Sequence, residues 1–241
     1  MKGYTAKNIY ISKGSKKMIK WIFFDLGSTL IDESECAEYR TQELLKQPNA
    51  PKRETLEHRM IELASVAMAR RLERTGVDAV IAEGCESGGH IGESTSMTLI
   101  PQVADAIEIP VIGAGGVGDG RGMAAMFMLG AEGIQAGTCF LVAKETNIHE
   151  NYKNKVLKAK DIDSVVTGRS HGHPARSLRN NMTRQYVKME NEGAGFEELE
   201  YLTLGSLRKA VQDGDTQNGS FMAGQIAGLI QRKQKSCKRN N

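Results

Sequence analysis

Three glycine-containing loops follow three consecutive predicted strands, and they carry the residues that could bind a ligand. The loops span residues 83–90, 113–116 and 135–138, and the first begins with Glu83 and ends with His90. In a βα-barrel such loops open on the C-terminal face, where backbone N–H groups and helix N-termini bind phosphate. Glycine lets the backbone approach the phosphate because it has no Cβ. One such loop would be an ordinary tight turn, but three in series favour a phosphate-bearing ligand.

The second loop opens the stretch Gly113-Ala-Gly-Gly-Val-Gly118, which fits the dinucleotide fingerprint G-x-G-x-x-G. The fold that this fingerprint indicates needs an acidic residue near the end of the following strand to hold a ribose. Here the following strand, predicted over 133–136, runs into Gly137 and Thr138 with no acid. The classical dinucleotide-binding interpretation is therefore disfavoured.

Three histidines could take part in chemistry or bind a metal. His90 lies in a glycine-flanked loop, which suits a histidine that reaches over a bound ring system, and a solvated loop histidine is the alternative. His171 and His173 have a two-residue spacing that could hold a metal, but no acid or cysteine lies close in sequence to complete a site. We therefore predict a plain loop there and no metal.

Composition and charge exclude several classes of function. The chain has 241 residues and a net charge of +3, but its first twenty residues carry six Lys and its last eleven carry five Lys or Arg. Without these eleven charges, residues 21–230 carry a net charge of −8, so nucleic-acid binding is not expected. No run of 18 apolar residues predicts a membrane span. The four cysteines are too widely spaced for a paired-cysteine zinc or redox motif, and the chain is expected to be cytoplasmic. Its two basic tails are expected to be solvated.

The elements that would position the loops alternate between strand and helix. A helix is predicted over 33–46 and a second from 51 to 76, where Leu56, Met60, Leu63 and Ala67 recur at helical spacing. Strands are predicted over 21–24, 77–82, 110–114 and 133–136, with helices over 98–107 and 121–129. Apolar strands alternating with helices predict an α/β fold with a parallel sheet. Beyond residue 139 the pattern is mostly helical, over 151–159, 174–190, 196–212 and 220–231.

Residues 77–230 resemble a known family, and 65–76 are grouped with them. The matching stretches are DAVIAEGCESGGHIG (78–92), IPVIGAGGVGDGRG (109–122), MLGAEGIQAGT (128–138), VVTGRSHGHPAR (165–176) and GSFMAGQIAGLI (219–230). They are similar to the C-terminal half of the FMN-dependent enoyl-[acyl-carrier-protein] reductase II and nitronate monooxygenase (2-nitropropane dioxygenase) family. The first and last stretches look more like the reductase branch. The resemblance implies part of a flavin TIM barrel, incomplete in this chain.

The same resemblance implies a cofactor, a substrate and the residues that bind them. FMN would be reduced by NADH or NADPH and would pass hydride to a trans-2-enoyl thioester carried by an acyl carrier protein. His90 would be the catalytic histidine. By match to the family's motifs, Glu83, Gly89 and Gln135 would line the cofactor. The FMN phosphate would be held by Gly115, Gly116, Gly137 and Thr138.

Residues 18–64 resemble a different family. The stretch KWIFFDLGSTLID (20–32) is similar to the first motif of haloacid dehalogenase-type phosphatases, with Asp25 at the nucleophile and Thr29 at the family's threonine. Gly27 stands where that family has its second aspartate, which is the general acid. The later phosphate- and magnesium-binding motifs have no room before the reductase-like segment, so phosphatase activity is the least favoured function.

These resemblances divide the chain into five parts. They are a basic tail (1–17), a phosphatase-like fragment (18–64), half of a flavin barrel (65–138), a helical C-terminal part (139–230) and a second basic tail (231–241). The leading function is enoyl-thioester reduction, and the alternatives are nitronate oxidation and a non-catalytic chimeric remnant. Four strands would form an open sheet, with 21–24 pairing beside 77–82. We therefore expect weak FMN binding, little reductase activity, and either a monomer of low stability or a self-associated species.

Overall fold

A computed structural model describes residues 60–230 of the chain, and a four-stranded parallel sheet lies at its centre. The strands are β1 (Met60–Leu63), β2 (Ala79–Glu83), β4 (Val111–Ala114) and β5 (Gly133–Gln135), in the order β1-β2-β4-β5. The helices that connect them are α1 (Val66–Arg74), α2 (Ser96–Ala104) and α3 (Gly120–Met128). The predicted parallel sheet is confirmed, and it is consistent with part of an α/β barrel.

The two faces of this sheet bury different side chains. Val80, Val111 and Ile134 point to one face, where they form a core with Ala69 of α1 and Leu99 of α2. The opposite face carries a smaller cluster of Ile81, Ile112 and Ala114. Because both faces are apolar, the strands are nearly continuous apolar runs, as is typical of parallel sheets with covered faces.

The prediction of one helix over 51–76 is wrong in its central part. Met60–Leu63 is strand β1, which pairs with β2 in parallel register, Leu63 opposite Ala82. Helix α1 begins only at Val66, where the side chain of Ser65 accepts a hydrogen bond from the Met68 N–H and caps the helix. The helical spacing that suggested one long helix therefore joined residues of a strand to residues of a helix.

Strand β1 also occupies the edge of β2 at which residues 21–24 were predicted to pair. The three strands predicted over 77–82, 110–114 and 133–136 are therefore confirmed as β2, β4 and β5, but the prediction of which segment covers this edge is wrong. The strand predicted over 21–24, the helix predicted over 33–46, the phosphatase-like residues Asp25, Gly27 and Thr29, and both basic tails lie outside the described residues.

The C-terminal part is mixed, and not mostly helical as predicted. A second, antiparallel sheet has the order β3-β7-β6, formed by β3 (Gly89–His90), β6 (Ser164–Thr167) and β7 (Ala175–Leu178). Two short helices precede β6 and three follow β7: α4 (Thr138–Leu141), α5 (Glu150–Leu157), α6 (Asn181–Asn191), α7 (Phe196–Thr203) and α8 (Ser206–Arg208). A second core lies among these elements, around the fully buried side chains of Tyr152 and Phe221.

Three of the predicted C-terminal helices are corrected. The helix predicted over 174–190 is β7 followed by α6, because Asn180 forms a capping box with Thr183 and so begins a new helix. The helix predicted over 196–212 is interrupted at Gly205, which has a left-handed φ of 71°. The helix predicted over 220–231 is a loop with a 3-10 turn at Gln225–Leu229.

No helix within residues 60–230 is both long enough and apolar enough to cross a membrane.

Candidate functional site

The three predicted loops meet at one pocket, at the carboxyl ends of β2, β4 and β5. Glu83, Ala114 and Gln135 are the last residues of these strands, and they are register partners in one row across the sheet. All of the residues predicted to bind cofactor line this pocket: Glu83, Gly89, Gly115, Gly116, Gln135, Gly137 and Thr138. The topology therefore brings together residues that are up to 55 positions apart in sequence, from 83 to 138.

Gly115 and Gly116 follow β4 directly, and both have left-handed backbone conformations, with φ of 83° and 73°. A Cβ on Gly115 would lie 2.6 Å from the carbonyl oxygen of Gly84, so this position requires glycine on steric grounds as well. A Cβ on Gly116 would have no protein atom closer than 3.7 Å, and the nearest atoms belong to the side chain of Glu86. A side chain at Gly116 would therefore contact Glu86 at ordinary van der Waals distance, and Gly116 itself lines the pocket.

Glu86 fixes the first loop to the start of α2. Its carboxylate accepts hydrogen bonds from the backbone N–H of Ser96, at 3.0 Å, and from the Ser96 hydroxyl, also at 3.0 Å. In this way it caps a helix whose own N-cap residue, Thr95, makes no side-chain capping bond. The same loop is tied to the sheet, because the Gly84 N–H donates to the carbonyl of Ala114 at 3.0 Å.

The far wall of the pocket comes from the C-terminal part of the chain. Gly224 packs so closely on the first loop that a Cβ there would lie 2.7 Å from the carbonyl oxygen of Glu86. The Gly224 N–H also donates to the Thr138 hydroxyl at 2.9 Å. The Tyr152 hydroxyl donates to the carbonyl of Met222 at 2.7 Å, and burial raises the pKa of this phenol. The loop that was predicted as a helix is therefore a structural wall of the site.

Sequence reasoning did not select this wall. The residues concerned are Leu141, Tyr152, Met222, Gly224 and Ile226. The three glycines of this stretch were a signal of close backbone packing. In the structure a Cβ on Gly219, Gly224 or Gly228 would lie within 2.9 Å of a backbone atom. Tyr152 offered no signal, because a tyrosine in an amphipathic helix is usually a core residue.

His90 is adjacent to the pocket, but its side chain is not part of the lining. It follows Gly89 in β3 and pairs with Ala175 of β7, and its side chain is exposed. The lining includes Gly89, whose φ of 85° turns the chain at this point. The predicted catalytic histidine is therefore positioned at the rim by a two-residue strand.

His171 and His173 lie away from this pocket and show no sign of a metal site. The Ser170 hydroxyl hydrogen-bonds to Nδ1 of His171 at 2.8 Å, and the ring of His173 packs 5.6 Å from that of Phe196. Residues 60–230 contain no group of three or more His, Cys, Asp or Glu side chains that could hold a metal. His171 lies in a short 3-10 turn, Arg169–His171, between Gly168 and Gly172.

The two cysteines near the pocket are neutral thiols at neutral pH. Burial, followed by the Glu86 carboxylate, raises the pKa of Cys85. Burial raises the pKa of Cys139 to about 11. Because the thiolate is the reactive form of cysteine, neither residue is suited to nucleophilic catalysis.

Arg176 of β7 ties the small sheet to the first loop. Its guanidinium donates from Nη2 to the carbonyl of Cys85 at 2.9 Å and from Nη1 to the Ser164 hydroxyl at 3.0 Å. The side chain is only 6% exposed, and burial lowers its pKa. The position of the loop that carries Glu86 and Gly89 therefore depends on this arginine.

We expect Arg176→Met to lower the free energy of unfolding by about 1.5–3 kcal/mol, the scale for losing hydrogen bonds made by a charged group. Methionine fills similar space but leaves the carbonyl of Cys85 without its donors. Urea unfolding measures the effect, with Arg70→Met, at an exposed position of α1, as the control. Equal stability of the two variants would show that Arg176 does not hold the loop.

The sequence of this chain is similar to those of known proteins. The model of the nitronate monooxygenase family matches residues 45–239. A protein of Staphylococcus saprophyticus described as "Probable nitronate monooxygenase" is 37% identical over 193 residues, which cover 74% of this chain and 54% of the relative. A protein of the same description from Staphylococcus aureus is 35% identical over 171 residues, covering 67% and 48%. The chain spans about half the length of the curated relatives it matches.

Solved structures show the same likeness in three dimensions. FabK from Thermotoga maritima is 41% identical, with a TM-score of 0.72, over 89% of this chain and 71% of that one. A nitroalkane oxidase from Streptomyces ansochromogenes is 29% identical, with a TM-score of 0.61, over 72% and 53%.

Proposed function

The chain belongs to the nitronate monooxygenase family, and we propose that it binds FMN in the pocket described above and acts as an FMN-dependent oxidoreductase. The observation that carries this proposal is the convergence of three glycine loops on one pocket at the carboxyl ends of adjacent parallel strands. This is the edge at which α/β folds bind their ligands.

Two features of the pocket support the binding of FMN there. Gly115 and Gly116 follow β4, while Gly137 and Thr138 follow β5, and these strands are neighbours in the sheet. The two loops are therefore close enough to hold one phosphate through backbone N–H groups. At Gly89 and Gly116, a Cβ would meet no protein atom closer than 3.7 Å. The backbone there borders space that a ligand can fill.

Each remaining residue has a proposed role beside the flavin. Glu83 and Gln135 line the pocket from one row of the sheet and would orient the ring. His90 stands at the rim and would hold or deliver a proton where charge develops on the substrate. The chemistry that FMN supplies when bound is hydride transfer between a nicotinamide donor and an acceptor.

We propose reduction of a trans-2-enoyl thioester, on an acyl carrier protein and with NADH or NADPH as donor, as the leading reaction. The likeness to FabK supports it, because that solved structure has the higher identity and TM-score of the two compared above. The alternative, oxidation of a nitronate, is supported by the family model and by the relatives in Staphylococcus. The chain is too similar to both groups for likeness alone to choose between them.

The two reactions are distinguished by supplying each substrate to FMN-loaded protein. Oxidation of NADH or NADPH that depends on crotonyl thioester, under nitrogen, is expected for the reductase. Oxygen uptake that depends on a nitronate, without a nicotinamide, would instead establish the monooxygenase. Bound flavin with neither activity would support the non-catalytic alternative.

The phosphatase interpretation stays the least favoured proposal. Asp25 and Thr29 lie outside the described residues, and Gly27 stands where the general acid is expected. We expect no magnesium-dependent hydrolysis of p-nitrophenyl phosphate above background. Hydrolysis that disappears in Asp25→Asn would contradict this expectation.

A further inference from the structure

A second concave surface lies between α5, β7 and α6, and it shares no lining residue with the proposed FMN pocket. Four cationic side chains line it: Lys155 and Lys158 from the C-terminal end of α5, Arg179 just after β7, and Arg184 from α6. Asp163 is the one carboxylate among the residues of 60–230 that line it. We call this surface the cationic groove.

The cationic groove carries an excess of positive charge within residues 60–230. Its lining has four cations and one carboxylate, that of Asp163. None of the four cations lies within ion-pair distance of a carboxylate of this range. The Asp163 carboxylate accepts the backbone N–H of Lys160 at 2.9 Å, and its single negative charge offsets only part of the four positive charges. An anion would stabilise the remaining excess.

Lys155 is a half-buried cation of the cationic groove. Its ammonium donates to the carbonyl of Arg179 at 2.9 Å and lies 5.3 Å from the centre of the Phe221 ring. Burial lowers the pKa of Lys155, attraction to the Asp163 carboxylate offsets part of this shift, and the smaller repulsion from Arg184 adds to the lowering. A half-buried ammonium held beside a guanidinium is better satisfied when an anion sits between them.

The cationic groove continues into a second depression. Arg179 and Arg184 form the boundary between the two, since they line both. Beyond them, Val165 of β6 and Val187 of α6 give the depression its aliphatic lining, and its polar lining comes from Thr183, Lys188, Asn191 and Glu192. A ligand that reached from one to the other would meet the cations first and could then lie against the two valines.

We propose that the cationic groove is a binding site for a small organic phosphate. Its phosphoryl group lies among Lys155, Lys158, Arg179 and Arg184, and its non-polar part lies along Val165 and Val187. Arginine and lysine are the usual phosphate-binding side chains, arginine through paired N–H donors and lysine as a point charge. The concave shape and the half-buried Lys155 favour a small molecule over the flat surface of an acidic protein. The site is independent of the proposed FMN pocket.

Calorimetric titration of the FMN-saturated full chain with hexyl phosphate tests this proposal. We expect saturable binding, tighter than that of inorganic phosphate because of the six-carbon chain, and none of hexanol. Arg184→Gln is expected to weaken binding by at least about tenfold, the scale for losing a charge-assisted hydrogen bond. Arg70→Gln, an exposed arginine of α1, is the matched control and should bind as the unaltered chain does.

Thermal unfolding of each variant, followed by circular dichroism, distinguishes a lost site from a lost fold. Lys158 is exposed, so Lys158→Gln removes a second charge from the cationic groove without changing the core. Equal binding by Arg184→Gln, Lys158→Gln and Arg70→Gln would overturn the proposal. So would binding of an acidic peptide, such as hexaglutamate, in the absence of any binding of hexyl phosphate or inorganic phosphate.

Discussion

Replacing Gly116 by leucine is expected to weaken FMN binding by about a hundredfold or more. Gly116 has a φ of 73° and lines the space of the pocket, and a Cβ there would lie 3.7 Å from the nearest atoms, those of the Glu86 side chain. A leucine side chain would fill this space and keep the phosphate away from the backbone N–H groups of the loop. A hundredfold loss corresponds to about 2.7 kcal/mol of binding free energy, and titration of flavin fluorescence measures it.

Gly172→Leu provides the matched control. Gly172 has a similar left-handed φ of 75°, it is exposed, and a Cβ there would meet no atom within 4 Å. It does not line the pocket, so a general effect of added bulk or of backbone strain would appear in both variants. Unchanged FMN affinity in Gly116→Leu would show that the phosphate is not held at this loop.

Replacing His90 by alanine is expected to slow turnover by about a hundredfold or more while leaving FMN bound. This is the usual scale for losing a positioned acid–base or polarising group. The side chain of His90 is exposed and contributes nothing to the pocket lining, so flavin affinity and folding should change little. Steady-state rates, measured with whichever substrate is active, give the size of the effect.

His173→Ala serves as the control for this variant, because His173 is also exposed and lies in a different loop. An equal loss of FMN in His90→Ala would instead make His90 a cofactor-positioning residue. Full activity of His90→Ala would contradict a catalytic role and would show that His90 is an ordinary loop histidine.

The central sheet could be predicted from the sequence because its strands are apolar on both faces and are separated by helices with clear ends. Strand β1 could not, since Met60 and Leu63 are spaced as on a helix and the strand is only four residues long. Its pairing with β2 is a long-range contact, and local periodicity carries no information about it.

The small antiparallel sheet was missed for a related reason. Strand β7 is only four residues long and shows no alternation, since its last three residues are all buried, and Arg176 is buried through partners that lie 12 and 91 positions away. A buried arginine looks like a surface residue in the sequence. The capping residue Asn180, by contrast, was a local signal that could have separated β7 from α6.

The candidate site was predictable where it depends on glycine and unpredictable where it depends on packing. The loops after β2, β4 and β5 all contain glycine, and in the first two the glycines Gly89, Gly115 and Gly116 have left-handed φ. The opposite wall depends on backbone contacts between Gly224 and the first loop, which the sequence does not reveal. The resemblance included this stretch, but its role as a wall became visible only in the structure.

Direct titration of the purified chain with FMN, followed by quenching of flavin fluorescence, tests the central claim. The proposed pocket predicts saturable binding of one FMN per chain, release of the flavin on heating, and competition by inorganic phosphate at high concentration. Weak affinity, as expected from the sequence, is compatible with this result if the binding saturates at that stoichiometry. A folded chain that leaves FMN fluorescence unchanged, even at millimolar protein and flavin, would contradict the assignment of this pocket.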